Sequence, residues 1–182
     1  SSDIAVLEAC DRLILPGVGA FPHGKNALIE NGLDTFVHEY VQSKRRVLGI
    51  CLGMQLLHEW SSEFSQTLGL GVLKGTVDYL PAYSENPEKS NRMPNVGWLP
   101  VERVHNDSEL ANRMLSGIHE SDRFYFIHSY GVEVKGSEVA GISQVDGLKF
   151  SSIVARGNLV GTQFHPEKSR GAGLLLLKSF IF

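Results

Sequence analysis

A cysteine lies between two glycines where two apolar stretches meet, in residues 49–53 (GICLG). This pentapeptide matches the pattern of a nucleophile elbow, a sharp turn between a strand and a helix that exposes its central side chain. In such a turn the residues two before and two after the cysteine crowd each other, and glycine relieves the crowding because it has no Cβ atom. A helix N-terminus after the turn favours the thiolate of Cys51. The pentapeptide alone leaves two interpretations open, a nucleophile and a buried structural cysteine.

A histidine and a glutamate follow another apolar stretch, in residues 161–167 (GTQFHPE). On an extended backbone, residues two apart point to the same side, and Pro166 favours that conformation at His165. A nucleophilic thiol needs a base to accept its proton, and the base needs a group that orients it. We therefore predict a triad of Cys51, His165 and Glu167.

An oxyanion hole is the third requirement of this chemistry. The backbone N–H of Leu52, directly after the cysteine, is the first predicted donor. Gly17, Val18 and Gly19 follow a second predicted strand, so they reach the same edge of a parallel sheet and offer another donor. Their alternative interpretation is an ordinary tight turn.

Strands and helices alternate around these motifs. Apolar spacing predicts strands over 12–16, 46–50 and 159–164, and helices over 22–31, 33–41, 54–60 and 172–182. Residues 81–95 predict an exposed loop, and short apolar segments at 97–101, 124–127, 139–142 and 152–155 suit antiparallel strands. We predict one α/β domain spanning residues 1–182, a three-layer fold whose mostly parallel sheet is flanked by helices and carries an added antiparallel portion.

Composition excludes several classes of function. The 182 residues carry a net charge of −3 and no long basic run, so neither nucleic acid nor a membrane is predicted as a partner. The apolar run at 174–177 is too short to span a bilayer, and no signal peptide is visible, so the cytoplasm is the expected compartment. Seven histidines and two cysteines lack metal-ligand spacing, so no metal and no cofactor is predicted.

Five segments, in chain order, carry a family resemblance: LPGVGAF (15–21), GICLGMQ (49–55), PNVGW (94–98), FIHSY (126–130) and GTQFHPEKS (161–169). Together they resemble the class I, triad-type glutamine amidotransferases, which have a flavodoxin-like fold. More narrowly, they resemble the glutaminase subunits of imidazole glycerol phosphate synthases, which act in histidine biosynthesis. The cysteine and His-Pro-Glu motifs are common to the class, and the other segments narrow it to this subunit type.

The resemblance implies a mechanism and a substrate. Cys51 attacks the side-chain amide of L-glutamine with help from His165, ammonia leaves, and water releases glutamate from the thioester. The segment 17–19 is the part expected to reorient before the oxyanion hole is complete. The residues implied to hold glutamine are Gly19, Gln55, Ser129 and Tyr130.

The resemblance also implies a partner, a (β/α)8-barrel cyclase subunit that receives the ammonia and makes imidazole glycerol phosphate and AICAR. Four residues are expected at the docking face and gate: Asn95, Trp98, Tyr125 and Lys168. Each has an alternative interpretation as an ordinary surface or half-buried residue.

Family members open with a strand and a glycine-bearing loop that precede the segment seen here. This sequence lacks both, so we expect the native polypeptide to be longer at its N-terminus. Three alternative functions stay open on the sequence. They are a paralogous subunit that supplies ammonia for surface-sugar amination, an inactive allosteric scaffold, and a thiol esterase resembling the α/β-hydrolases. Against the esterase, α/β-hydrolases usually place the acid before the histidine, whereas here Glu167 follows His165.

Overall fold

A computed structural model describes residues 1–83 and 93–182. The helices are α1 (Ile4–Glu8), α2 (Phe21–Glu30), α3 (Leu33–Gln42), α4 (Leu52–Leu56), α5 (Glu109–Leu115) and α6 (Arg170–Ile181). The strands are β1 (Arg12–Gly17), β2 (Arg46–Cys51), β3 (Trp60–Ser61), β4 (Thr67–Leu68), β5 (Thr76–Tyr79), β6 (Asn95–Leu99), β7 (Glu102–Arg103), β8 (Phe124–His128), β9 (Tyr130–Val132), β10 (Val139–Val145), β11 (Leu148–Arg156) and β12 (Leu159–Thr162). None of the helices in these two ranges is both long and apolar enough to cross a membrane.

The main sheet is mixed. Its strand order is β1-β2-β12-β11-β9-β5-β3-β4, with β10 and β7 extending it from β11. Strands β1, β2 and β12 are parallel, as are β3 and β5, whereas β11 runs antiparallel to β12, β10 and β9. Strands β6 and β8 form a separate antiparallel pair. The predicted α/β sheet with an added antiparallel portion is therefore confirmed.

Helices cover both faces of the sheet, which gives the predicted three layers. On β2, Val47 packs into a core with α2 and α3, whereas the next residue, Leu48, packs into a second core with α5 and α6. Successive strand residues point to opposite faces, and both of these side chains are fully buried. Burial of one such side chain stabilises the fold by about 1.5–3 kcal/mol, so neither helical layer is dispensable.

Several predicted boundaries differ from the structure, and two of the differences bear on the site. The sequence predicts a helix over 54–60 after the cysteine, but α4 ends at Leu56 because Trp60 and Ser61 pair with β4 and β5. Strand pairing thus overrides the helical propensity of this segment. The exposed loop predicted over 81–95 falls mostly on residues 84–92, which lie outside the described residues, and Asn95 begins β6.

Candidate active site

The three parallel strands place the sequence motifs at one edge of the sheet. In the register of β1 and β2, Gly17 pairs with Cys51, and in that of β2 and β12, Ile50 pairs with Thr162. All three strands end at this level, so the chain beyond β12 brings His165 to the same edge. The carboxyl ends of parallel strands are where open α/β sheets bind ligands.

The backbone at Cys51 has the strained geometry of an elbow. Its φ is +53° and its ψ is −111°, a conformation that costs a non-glycine residue on the order of 1–3 kcal/mol. The flanking glycines make the turn possible. A Cβ atom on Gly53 would lie 1.8 Å from the carbonyl oxygen of Leu15, and one on Gly49 would lie 2.8 Å from the Cα atom of Met54. The sequence predicts that these two positions crowd each other. In the structure each one meets another element instead, Gly53 meeting β1 and Gly49 meeting α4.

His165 is oriented by the glutamate two residues later. Its Nδ1 lies 2.7 Å from Oε1 of Glu167, as the extended spacing predicts. A carboxylate only accepts hydrogen bonds, so Nδ1 carries the proton and Nε2 keeps its lone pair. Nε2 is buried and has no hydrogen-bond partner among the described residues. In its neutral form the imidazole therefore presents the Nε2 lone pair to whatever enters the site.

Cys51 and His165 line one cavity of about 250 Å³. Most of the predicted site residues line it too: Val18, Gly19, Leu52, Gln55, Ser129, Tyr130 and Lys168. Gly17 is not among the lining residues, because it is still part of β1. The sequence analysis missed Glu63, Ile127 and His128, which also line the cavity. His128 could have been found from its place in the FIHSY segment, but Glu63 had no local signal.

Two backbone segments that line the cavity are the predicted sources of the oxyanion donors. The backbone N–H of Leu52 hydrogen bonds to the sulfur in this structure and lowers the pKa of the thiol. In the other segment, Val18 is 75% exposed and Gly19 has a φ of +94°, which favours glycine. Directly after this segment, the backbone N–H of Phe21 donates to Oε2 of Glu63 at 2.7 Å. The loop is thus held at Phe21 while its glycine-flanked peptides stay exposed.

Burial outweighs the stabilisation of the thiolate that is expected from the helix N-terminus. Burial raises the pKa of the Cys51 thiol from 9.0 to about 11, and the carboxylate of Glu167 acts in the same direction. Hydrogen bonds from Leu52 and Gln163 and the charge of Lys168 oppose this rise but are weaker. Helix α4 spans only five residues, so its dipole is too small to offset the loss of hydration. The resting sulfur is a thiol, and its activation depends on a base.

Gln55 is fixed at the floor of the cavity. Its Nε2 donates to the carbonyl oxygen of Tyr130 at 2.9 Å and to Oε1 of Gln163 at 3.1 Å. Both hydrogens of the amide are therefore used, and its oxygen remains as an acceptor. Nδ1 of His128 donates to the same Tyr130 oxygen at 2.9 Å, and burial lowers the pKa of this histidine to about 4, so the ring is neutral.

The predicted docking residues divide into two groups. Trp98 and Tyr125 pair across β6 and β8, their ring centroids 5.7 Å apart, and Nζ of Lys168 lies 5.9 Å from the Tyr125 centroid. Asn95 does not lie on this surface. Its side chain is 4% exposed and contacts His128, because residue 95 points to the opposite side of β6 from Trp98.

Two apolar residues extend this surface. Val96 and Ile127 are cross-strand partners and are both exposed. Arg170 adds a cation, its guanidinium carbon 4.9 Å from the Trp98 ring centroid. We call the surface formed by Val96, Trp98, Tyr125 and Ile127 the outer face of the β6–β8 pair.

Comparison with known proteins identifies the family. Residues 2–181 match the family described as "Glutamine amidotransferase class-I". The chain belongs to that family. Curated relatives of this amidotransferase include the imidazole glycerol phosphate synthase subunit HisH of Bacillus licheniformis, 42% identical over 96% of this chain and 79% of that protein. The HisH subunit of Acinetobacter baylyi is 38% identical over 100% of this chain and 83% of that protein. The family predicted from the sequence is confirmed.

Solved structures agree on the fold of the amidotransferase. A crystal structure of a glutamine amidotransferase superposes with a TM-score of 0.68 and 19% identity, over 100% of this chain and 85% of that one. The structure of PurLQS from Thermotoga maritima superposes with a TM-score of 0.62 and 17% identity, over 92% of this chain and 78% of that one. At these identities the likeness concerns the fold alone, and it supports the predicted α/β architecture.

Proposed function

We propose that this amidotransferase hydrolyses L-glutamine as the glutaminase subunit of an imidazole glycerol phosphate synthase in histidine biosynthesis, and that it acts in the cytoplasm. The observation that carries the chemistry is the unpartnered Nε2 of His165, which shares a cavity with the thiol of Cys51. The names of the curated relatives support the pathway. They do not support surface-sugar amination or an esterase.

The first half of the reaction forms a thioester. Nε2 of His165 takes the proton of Cys51, and the sulfur attacks the side-chain carbonyl carbon of glutamine. The N–H of Leu52 and a peptide N–H of the Val18–Gly19 segment stabilise the oxyanion. Glu167, bonded to Nδ1, stabilises the imidazolium. The imidazolium then protonates the departing nitrogen, the C–N bond breaks, and ammonia leaves.

The second half hydrolyses the thioester. His165, now neutral, takes a proton from a water molecule, whose oxygen attacks the acyl carbon. The C–S bond breaks, and the imidazolium returns its proton to the sulfur. Glutamate leaves, and Cys51 is again the thiol that its buried surroundings favour.

The polar lining of the cavity matches the α-amino acid end of glutamine. The carboxylate of Glu63 and the free amide oxygen of Gln55 are acceptors for an ammonium group. Ser129 and Tyr130 line the same region and supply polar groups for the rest of that end. This arrangement supports a role in substrate recognition for Gln55, Glu63 and the Ser129–Tyr130 segment, with Gly19 at the border.

Ammonia must reach a second active site without becoming protonated in bulk water. We infer that a (β/α)8-barrel cyclase subunit docks on the outer face of the β6–β8 pair, next to the cavity. Trp98, Tyr125 and Ile127 supply apolar contacts there, and Lys168 and Arg170 supply positive charge at the rim. Docking next to Val18 would also let the partner turn the 18–19 peptide toward the oxyanion.

The test measures glutamate release with the purified cyclase subunit and its nucleotide substrate present. Wild type and Cys10→Ala, which removes the other cysteine, are expected to be active, and Cys51→Ala inactive. Equal rates of release in all three would refute the mechanism, and no release from any of them would favour the inactive scaffold. Activity only with a sugar-aminating partner would instead assign the paralogous pathway.

A further inference from the structure

A chain of buried hydrogen bonds ends at the sulfur of Cys51, and its last donor is Gln163. This residue follows β12 directly, precedes His165 by two positions, and is fully buried. Its Nε2 lies 3.7 Å from Sγ of Cys51, and its Oε1 lies 3.1 Å from Nε2 of Gln55. The side chain thus bridges the proposed nucleophile and a proposed substrate-binding residue.

The orientation of the Gln163 amide is fixed, through Gln55, by the carbonyl oxygen of Tyr130. The carbonyl oxygen of Tyr130 only accepts, so the amide nitrogen of Gln55, 2.9 Å away, must face it. The second hydrogen of that nitrogen points to Gln163, which must then present its oxygen to Gln55 and its N–H to the sulfur. His128 donates to the same Tyr130 oxygen, and Asn95 bonds to the other side of the ring.

We propose that Gln163 is a positioning residue, which holds the sulfur of Cys51 through an N–H···S hydrogen bond and stabilises its thiolate. The proposal deepens the proposed glutaminase function and rests on Cys51 as its nucleophile. A donor stabilises an anionic acceptor more than a neutral one, so the bond strengthens when the proton moves to His165. In the resting site this bond lowers the pKa of the thiol, against the larger opposite effect of burial.

The proposed role belongs to the side chain of Gln163, whereas its structural role belongs to the backbone. Its N–H donates to the carbonyl oxygen of Ser152 at 2.9 Å, so a side-chain substitution leaves that bond between the neighbouring strands in place. Thr162, the preceding residue, provides a matched control. It is also fully buried, but its hydroxyl donates to the carbonyl oxygen of Phe164 and makes no hydrogen bond to the sulfur.

The test measures the rate at which iodoacetamide alkylates Cys51 as a function of pH, in a Cys10→Ser background and without glutamine. Gln163→Leu and Gln163→Met both remove the donor at nearly constant volume. Either variant is expected to raise the apparent pKa of the alkylation profile by about one unit, which lowers the rate at pH 8 about tenfold. Thr162→Val is expected to keep the profile of the background protein.

Two results would overturn the proposal. One is an unchanged profile in Gln163→Met, the more adaptable of the two replacements should Gln163→Leu fold poorly. The other is an equal shift in Thr162→Val, which would trace the effect to loosened packing. Because no glutamine is present, a wild type that fails to release glutamate would refute the proposed function while leaving this measurement valid.

Discussion

Gly53 rests directly on the carbonyl oxygen of Leu15, and a Cβ atom at that position would lie 1.8 Å from the oxygen. Since the atom in the way belongs to the backbone of β1, no side-chain rotation can make room. The contact joins the helix that follows the cysteine to the strand that leads into the 17–19 segment. The two proposed sources of oxyanion donors are thus in van der Waals contact at their base.

This contact predicts a severe effect of Gly53→Ala. We expect the variant to lose more than about 3 kcal/mol of unfolding free energy, because β1 and α4 must separate to admit the methyl group. Gly171→Ala, in the first turn of α6 with no atom within 4 Å of the added Cβ, is the control and should stabilise by up to about 1 kcal/mol. Urea denaturation of both variants measures the difference, and equal stabilities would contradict the close contact.

Glu167→Gln should impair catalysis without unfolding the protein. Glutamine can donate to Nδ1 of His165 and so favours the wrong tautomer. A buried aspartate in this role is worth about 10⁴-fold in kcat. The Glu167 side chain is 46% exposed, so we expect a smaller loss of about 10²-fold. The assay is glutamate release with the partner present, and Glu120→Gln, on the surface, serves as the matched control.

The raised thiol pKa predicts a pH dependence of stability. The folded state holds the Cys51 proton more tightly than the unfolded state does, so this contribution is full below pH 9 and is lost as pH rises toward 11. Two pKa units correspond to about 2–3 kcal/mol. Wild type should therefore lose about that much more unfolding free energy than Cys51→Ala between pH 8 and 11. Parallel stability curves for the two proteins would show that burial does not perturb the thiol.

Covalent labelling identifies the reactive cysteine independently of turnover. The glutamine mimic 6-diazo-5-oxo-norleucine should add to Cys51, because the cavity that holds its amino acid end also holds the sulfur. Peptide mass spectrometry after digestion locates the adduct. Modification confined to Cys10, which is only half-buried and lies near the end of α1, would count against the assignment.

The outer face of the β6–β8 pair predicts where a partner binds. Val96→Asp places a buried charge in the proposed interface and should weaken binding of the cyclase at least tenfold. Val96 does not line the cavity, so glutamine should still protect Cys51 from alkylation. Leu68→Asp, at a more exposed apolar residue in β4, is the control and should bind normally. Isothermal titration calorimetry with the cyclase separates the two variants.

The features predicted from the sequence are those set by short separations along the chain. His165 and Glu167 are two residues apart, so extended backbone alone brings the imidazole and the carboxylate to the same side. The elbow at Cys51 has the same local character. The alternation of strands and helices also sufficed to place β1, β2 and β12 in parallel register, which brings both motifs to one edge.

The features that were missed depend on residues distant in the chain. Glu63 reaches the cavity only because β3 joins the sheet, and that pairing also ends α4 early. The burial of Asn95 follows from which face of β6 meets the core, which its neighbours in the sequence do not indicate. The pKa of Cys51 depends on how completely the surrounding chain excludes water. None of these quantities has a local signature.

The anchoring of Gly53 on Leu15 limits how the catalytic centre can be switched on. With β1 clamped at Leu15 and the chain held again where Phe21 bonds to Glu63, only the few peptides in between are free to rotate. Under the proposed mechanism, activation of the enzyme then requires the rotation of a peptide plane between Leu15 and Phe21 rather than a sliding strand or a repacked core. Such a change moves only a few atoms over a short distance, so a single contact from another molecule can trigger it.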